Sequence, residues 1–284
     1  MSTIITAALN GTTLGRSQCP QVPFRPDEIG TEARRAFEAG ASVVHVTARE
    51  DLGGVAMRVE RWKETFDAIR DRCAALISIS TFGVLGALDD RLAAIDAGPD
   101  LVTVPLAARP VARYHAGRKA FDLDLVYAGT LGDFVRTVVF AEERGVSVTV
   151  ECVDLGELAL LSHVVDMGVL GPHRRLALLL GSAGGLPSVP GTIPLVAQAA
   201  GTDLWSVAAL SRAPWPVLAT AAAFGGHLRV GFEDGLELPG GDHATSNGVL
   251  IEAASTLVRA LGGDVATVEA ARALLCTRSD EPLE

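Results

Sequence analysis

Alternation constrains this chain most. Short runs rich in Val, Ile and Leu recur along its 284 residues, each followed by a longer stretch with the spacing of an amphipathic helix. Strand candidates fall at about 3–7, 42–47, 76–81, 100–104, 147–151, 175–180, 203–208 and 228–231. They are near-continuously apolar, as strands covered on both faces must be. Helical spacing fits 26–40, 58–73, 87–97, 131–144, a segment opening near Asp154, 194–200, 213–223, 246–261 and 266–275. Pro26 and Pro194 stand where a first helical turn tolerates proline. About eight strands alternating with helices over this length predict an α/β fold, a (β/α)8 TIM barrel forming a single domain over 1–284. A doubly wound open sheet with extra strands is the alternative. No Pro- or Ser-rich linker and no charge block interrupts the pattern. The longest irregular stretch, about 105–126, reads as an active-site loop region.

Charge and hydropathy narrow the partners. With 24 Lys and Arg against 34 Asp and Glu, the net charge of −10 argues against nucleic acid, which demands a basic stripe. The mean hydropathy of +0.32 comes from Ala, Val and Leu in short segments. No run approaches the roughly 18 apolar residues of a membrane helix, so no membrane partner is expected. The amino terminus has no basic region before its apolar stretch and reads as a first strand, which predicts cytoplasmic residence. Cys19, Cys73, Cys152 and Cys276 are far apart, with no CxxC pair to write a thiolate zinc site or a disulfide framework.

In such a barrel the chemistry belongs at the C-terminal ends of the strands, and those ends are polar here. The second strand runs through His45, Thr47 and Arg49, which share one face because side chains alternate. Ser78 and Ser80 close the third strand, Thr103 the fourth, Glu151 the fifth, and the eighth leads through Arg229 into Glu233 and Asp234. Each piece has a plain reading: His45 as a hydrogen-bonded core residue, Glu233-Asp234-Gly235 as an acidic turn. Glu151 is harder to dismiss, because a carboxylate after Val-Thr-Val must be paired with a cation or desolvated at several kcal/mol. Arg229 is the expected partner. Held between Glu151 and Asp234, it would orient Asp234 and keep it ionised, as a base for proton abstraction beside a carbonyl requires.

Several segments together resemble the β-keto acid cleavage enzymes. Ile5-Thr6-Ala7-Ala8-Leu9-Asn10-Gly11 is similar to that family's opening strand, and Pro23-Phe24-Arg25-Pro26-Asp27-Glu28-Ile29 to its first helix start. Gly40-Ala41-Ser42-Val43-Val44-His45 and Ser80-Thr81-Phe82-Gly83 resemble two further family segments. The most specific match is the run from Gly225-Gly226-His227 through Arg229 and Gly231 to Glu233-Asp234, followed by Ser246-Asn247. The resemblance implies a (β/α)8 barrel, usually a homotetramer, that condenses a β-keto acid with acetyl-CoA and releases acetoacetate and a new acyl-CoA. It also implies zinc or another divalent metal, held by two histidines of an HxH motif and a glutamate, acting as a Lewis acid. Carried over to this chain, His45 and Glu233 are metal ligands, Asp234 is the base, Arg229 and Glu151 orient it, and Asn10, Thr13, Ser80, Thr103 and Arg109 face substrate.

Three departures qualify that picture. Thr47 stands where the family has its second histidine, and a hydroxyl is a poor zinc ligand beside imidazole, so metal affinity is expected to fall unless another group fills in. The other histidines have no zinc spacing. Thr13 stands where amino-substrate members carry a substrate-binding glutamate, which argues for a neutral or anionic β-keto acid. After Thr103 the chain gathers Arg109, Arg113, His115, Arg118 and Lys119, read either as a solvated loop or as a clamp for a carboxylate or CoA phosphates. Beside β-keto acid cleavage, the sequence leaves open a metal-independent lyase or aldol cleavage on the same barrel, and a non-catalytic binder of keto acids or acyl-CoA.

Overall fold

The computed structural model of the chain describes residues 2–82, 87–115, 117–171 and 173–276. Gly83, in one of the family-like segments, lies outside them. In chain order the strands are β1 (Ser2–Thr3), β2 (Ile5–Ala8), β3 (Val43–His45), β4 (Leu76–Ser80), β5 (Leu101–Pro105), β6 (Arg109–His115), β7 (Ala120–Tyr127), β8 (Ser147–Cys152), β9 (Arg175–Leu180), β10 (Leu204–Ala209), β11 (His227–Val230) and β12 (Asp264–Val265). The helices are α1 (Pro26–Glu38), α2 (Val59–Arg70), α3 (Leu88–Asp96), α4 (Leu131–Glu142), α5 (Leu155–Asp166), α6 (Ile193–Ala200), α7 (Trp215–Ala223), α8 (Asn247–Ala260) and α9 (Val268–Leu275).

Strands β2, β3, β4, β5, β8, β9, β10 and β11 pair in that order, all parallel, and β11 returns to β2 to close a barrel. The open-sheet alternative is thereby excluded. Local sequence explains the helices. Pro26 opens α1, the Glu28 carboxylate accepts from the Phe24 and Arg25 N–H groups, and Ile29, Ala33 and Ala36 recur on the buried face. Side chains of Thr130, Asp154 and Ser246 cap α4, α5 and α8.

Alternation along the strands divides the core in two. Outward residues such as Val44, Ile77, Ile79, Val102 and Val104 bury themselves against the helices. At the N-terminal end, β1 pairs with β12, and α9 lays Ala271 on a floor of Ile4, Val43, Leu76 and Leu101. Above that floor the barrel interior is polar: Thr6, Ser78, Thr103, Thr149 and Ser206 line a cavity of about 50 Å³.

The stretch expected to be irregular is a β-hairpin. Strands β6 and β7 pair antiparallel from Arg109 opposite Tyr127 to His115 opposite Ala120. Its signal was the period-two alternation of Phe121-Asp122-Leu123-Asp124-Leu125, with Gly117 shortly before it. Among the described residues no helix is long and apolar enough to cross a membrane.

Candidate active site

The loop after β11 carries the densest chemistry. Arg229 is buried in the barrel, and its Nε and Nη2 donate to the two oxygens of Asp234, each at 3.0 Å. Nη2 also lies 2.8 Å from Glu233 Oε1. Chain placement makes this possible. At Gly231, with φ of +158°, a Cβ would stand 2.1 Å from the Ala8 carbonyl oxygen, so only glycine lets the loop pass. At Gly11, with φ of +52°, a Cβ would stand 2.5 Å from Glu233 Cγ. The absent side chain there is the space Glu233 occupies. From the far side Asn247 Oδ1 accepts the Phe232 N–H at 2.9 Å, while Asn247 Nδ2 donates to the Leu9 carbonyl and to Glu32 Oε2.

His45, on β3, faces this pair. Its Nδ1 is 3.0 Å from Ser78 Oγ on the neighbouring strand, where the two residues are partners in register. Its Nε2 is 3.9 Å from Glu233 Oε2, and both atoms are buried without a hydrogen-bond partner. Burial, then the Arg229 charge, push the His45 imidazole down to about 3, so the ring is neutral at physiological pH. Glu233 is held below the usual carboxylate range: burial, the largest single influence, would raise it, but the Arg229 charge and hydrogen bond, together with His45 and Arg49, outweigh burial. Asp234 moves the other way, up to about 7, through burial and the neighbouring Glu233 charge against the pull of Arg229. One guanidinium serving two buried carboxylates divides them into one that stays ionised and one that takes up a proton readily.

Two facing orphan atoms, a neutral imidazole nitrogen and an ionised carboxylate oxygen, fit shared ligation of one divalent cation. Thr47, two residues beyond His45, is buried and contributes its backbone N–H to Asn10 Oδ1. Among the described residues no group of three or more His, Cys, Asp or Glu gathers to hold a metal, so His45 and Glu233 stand as a pair.

The expected pairing of Glu151 with Arg229 is corrected by the hairpin. Arg109, the first residue of β6, sends Nη1 to Glu151 Oε1 at 3.1 Å and Nη2 to the Glu151 carbonyl at 3.2 Å. Its Nη2 is also 3.7 Å from Glu157 Oε1. Burial raises Glu151, with Arg109 the leading charge opposing it and Arg229 the next. Arg109, expected on substrate, is thus committed to two buried carboxylates.

Asn10 is also reassigned. Fully buried, it donates from Nδ2 to the carbonyls of Pro23 and Thr47 and accepts the Thr47 N–H. Its polar atoms lock loops together and are not presented to substrate. Ser80 and Thr103 are partners in register on β4 and β5; Thr103 is buried, and Ser80 Oγ accepts the Phe82 N–H at 3.0 Å. Thr13 is exposed in the turn after Gly11.

The sequence reading had no role for Glu32, and took Asn247 only as part of a family-like segment and Ser78 only as a polar strand end. The signal for Asn247 was its place directly after the Ser246 cap of α8, where a side chain is aimed back at the preceding loop. A larger depression, about 590 Å³, lies at the opposite end of the barrel against Ser147, Arg174 and Cys276, and holds none of these groups.

Known proteins resemble this chain along nearly its whole length. The family model described as beta-keto acid cleavage enzyme matches residues 2–276. The chain is 31% identical to the 3-keto-5-aminohexanoate cleavage enzyme of Acetoanaerobium sticklandii over 275 residues, 96% of this chain and 97% of that enzyme. It is 26% identical to the 3,5-dioxohexanoate:acetyl-CoA acetone transferase of Paraburkholderia graminis, covering 96% of this chain and 94% of that one. Among solved structures, a ternary complex of ObcA with a C4-CoA adduct and oxalate superposes with a TM-score of 0.72 at 19% identity, over 90% of this chain and 67% of that one. This likeness supports the barrel fold.

Proposed function

The chain belongs to the β-keto acid cleavage enzyme family, and from that membership we propose that it exchanges the acyl part of a β-keto acid lacking an amino group against acetyl-CoA, releasing acetoacetate and a new acyl-CoA. One observation carries the reading: the buried two-point pairing of Arg229 with Asp234, beside the facing atoms of His45 and Glu233. A carboxylate fixed in orientation and near neutrality in basicity suits removal of a proton between two carbonyl groups.

In this reading Asp234 takes the proton from the carbon between the keto and carboxylate groups. The enolate carbon attacks the thioester carbonyl and expels CoA thiolate. The thiolate adds to the original keto carbon, the bond from that carbon to the former enolate carbon breaks, and Asp234 returns its proton to acetoacetate. Arg229 holds Asp234 through both carboxylate oxygens throughout, and its buried charge steadies the negative charge that moves through the site. Ser80 and Thr103, side by side at the mouth, offer hydroxyls to the substrate carboxylate. A divalent metal here would be held by His45 Nε2 and Glu233 Oε2 and would polarise the keto oxygen and carboxylate as a Lewis acid.

Thr13 supports a substrate without an amino group, since no carboxylate at that position meets an ammonium ion. A relative named for 3,5-dioxohexanoate points the same way. Tetrameric assembly and cytoplasmic residence belong to the same reading and rest on the resemblance. The test is turnover of a panel of β-keto acids with acetyl-CoA, with and without zinc, reading acetoacetate and acyl-CoA by mass spectrometry. Asp234→Asn should lower kcat by about 10²–10⁴-fold with the fold intact. Unchanged turnover would refute the assignment of the base.

A further inference from the structure

The cations after Thr103 fall into two groups. Arg109 is buried at the root of the hairpin against Glu151, whereas His115, Arg118 and Lys119 sit exposed at its tip. We propose that the tip of the β6–β7 hairpin is the docking site for the 3′-phosphorylated adenosine diphosphate end of acetyl-CoA. Arg118, Lys119 and His115 meet its phosphates, and the Tyr114–Phe121 ring pair meets its adenine. This rests on acetyl-CoA being the co-substrate.

Four observations converge. The first is charge. Beyond the paired Arg109, residues 110–127 carry three Arg and Lys against two Asp in a chain of net charge −10, so a polyanion is repelled by most of the surface and drawn to this arm. The second is apolar exposure. Tyr114 and Phe121 are partners in register, their rings 5.5 Å apart in an edge-on pair, yet they are 56% and 61% exposed. An aromatic pair left in water beside cations is a platform for a base with phosphates attached.

The third is rigidity at the root. Arg109 is tied to Glu151 and lies over the Phe82 ring at 5.6 Å. Tyr127 stacks on Phe82 at 5.2 Å and accepts from Arg91 Nη1 at 2.7 Å. At the tip, His115 Nδ1 accepts the Arg118 N–H at 3.2 Å, which leaves Nε2 to act as the donor. The fourth is reach. From Arg109, paired with Glu151, to His115 the extended strand spans about 20 Å. In CoA the nucleotide lies beyond an extended pantetheine arm of that order, so a thioester at Asp234 and a nucleotide at the tip are compatible.

The experiment compares acetyl-CoA with S-acetylpantetheine, which has the same thioester and no nucleotide, in the wild type, Arg118→Ala/Lys119→Ala and Phe121→Ala. Binding of 3′,5′-ADP is measured calorimetrically in parallel. The expected result is a KM for acetyl-CoA raised about tenfold in the double variant, with kcat unchanged, constants for S-acetylpantetheine unchanged, and loss of 3′,5′-ADP binding. Equal KM values for acetyl-CoA in wild type and variants would overturn the proposal and leave the acyl-exchange reading standing. So would variants that alter the oligomeric state alone, since the ring pair would then be a contact between copies. A wild type that neither turns over acetyl-CoA nor binds 3′,5′-ADP would overturn both.

Discussion

Replacing Arg109 with glutamine isolates the charge balance behind the active site. Glu151 is 1% exposed and Glu157 7%, and for both carboxyls burial is the leading influence and Arg109 the leading opposing charge. Without the guanidinium, two buried carboxylates lose their nearest cation. Removal of one partner of a buried pair costs about 3–5 kcal/mol. The loss has a pH signature. A carboxyl raised in the folded state above its unfolded value binds a proton more readily when folded, so stability falls as pH rises through that window. Without Arg109 both carboxyls move further up, and the deficit of Arg109→Gln should be largest at pH 8 and smaller at pH 5. Urea unfolding of wild type, Arg109→Gln, Glu151→Gln and the double variant at both pH values measures it. The double variant should be less destabilised than the two single losses added together, by about 1.5–3 kcal/mol. A deficit under about 1 kcal/mol at pH 8, or one that is the same at both pH values, would refute the reasoning.

Three further expectations use other parts of the site. Asn247→Ala strands the buried Phe232 N–H and should cost about 2–3 kcal/mol; kcat should fall as Glu233 and Asp234 lose their fixed loop, measured by urea unfolding and turnover on one preparation. His227 is buried with Nδ1 accepting the Ile4 N–H, and burial pushes it from 6.5 down to about 4. Because the unfolded chain takes up that proton first, stability should drop by about 3 kcal/mol as pH falls from about 6.5 to 4, and His227→Asn should abolish that part of the acid sensitivity in pH-dependent unfolding. Thr47→His adds a second imidazole beside His45 and should raise zinc affinity at least about tenfold; equal zinc content after dialysis in the variant and wild type would count against a His45–Glu233 site.

The barrel was legible because its signal is local and repeated: an apolar strand covered on both faces and an amphipathic helix each declare themselves within about ten residues. The polar residues that gather in the candidate site were legible for the same reason. His45, Glu151, Arg229, Glu233 and Asp234 interrupt or end apolar runs, where polar groups are costly unless put to use. Partnerships were not legible. Arg109 and Glu151 are 42 residues apart, and their contact depends on where a hairpin leaves the rim. Asn10 carries the same amide whether it meets substrate or backbone, and only the arrival of Pro23 and Thr47 around it settles which. The chain by itself determined which groups stand at the barrel mouth, because strand periodicity fixes the face on which each side chain emerges. Which cation neutralises which carboxylate was decided only by the tertiary structure, because electrostatic pairing depends on distance in space, and several strands bring equivalent charges to the same rim.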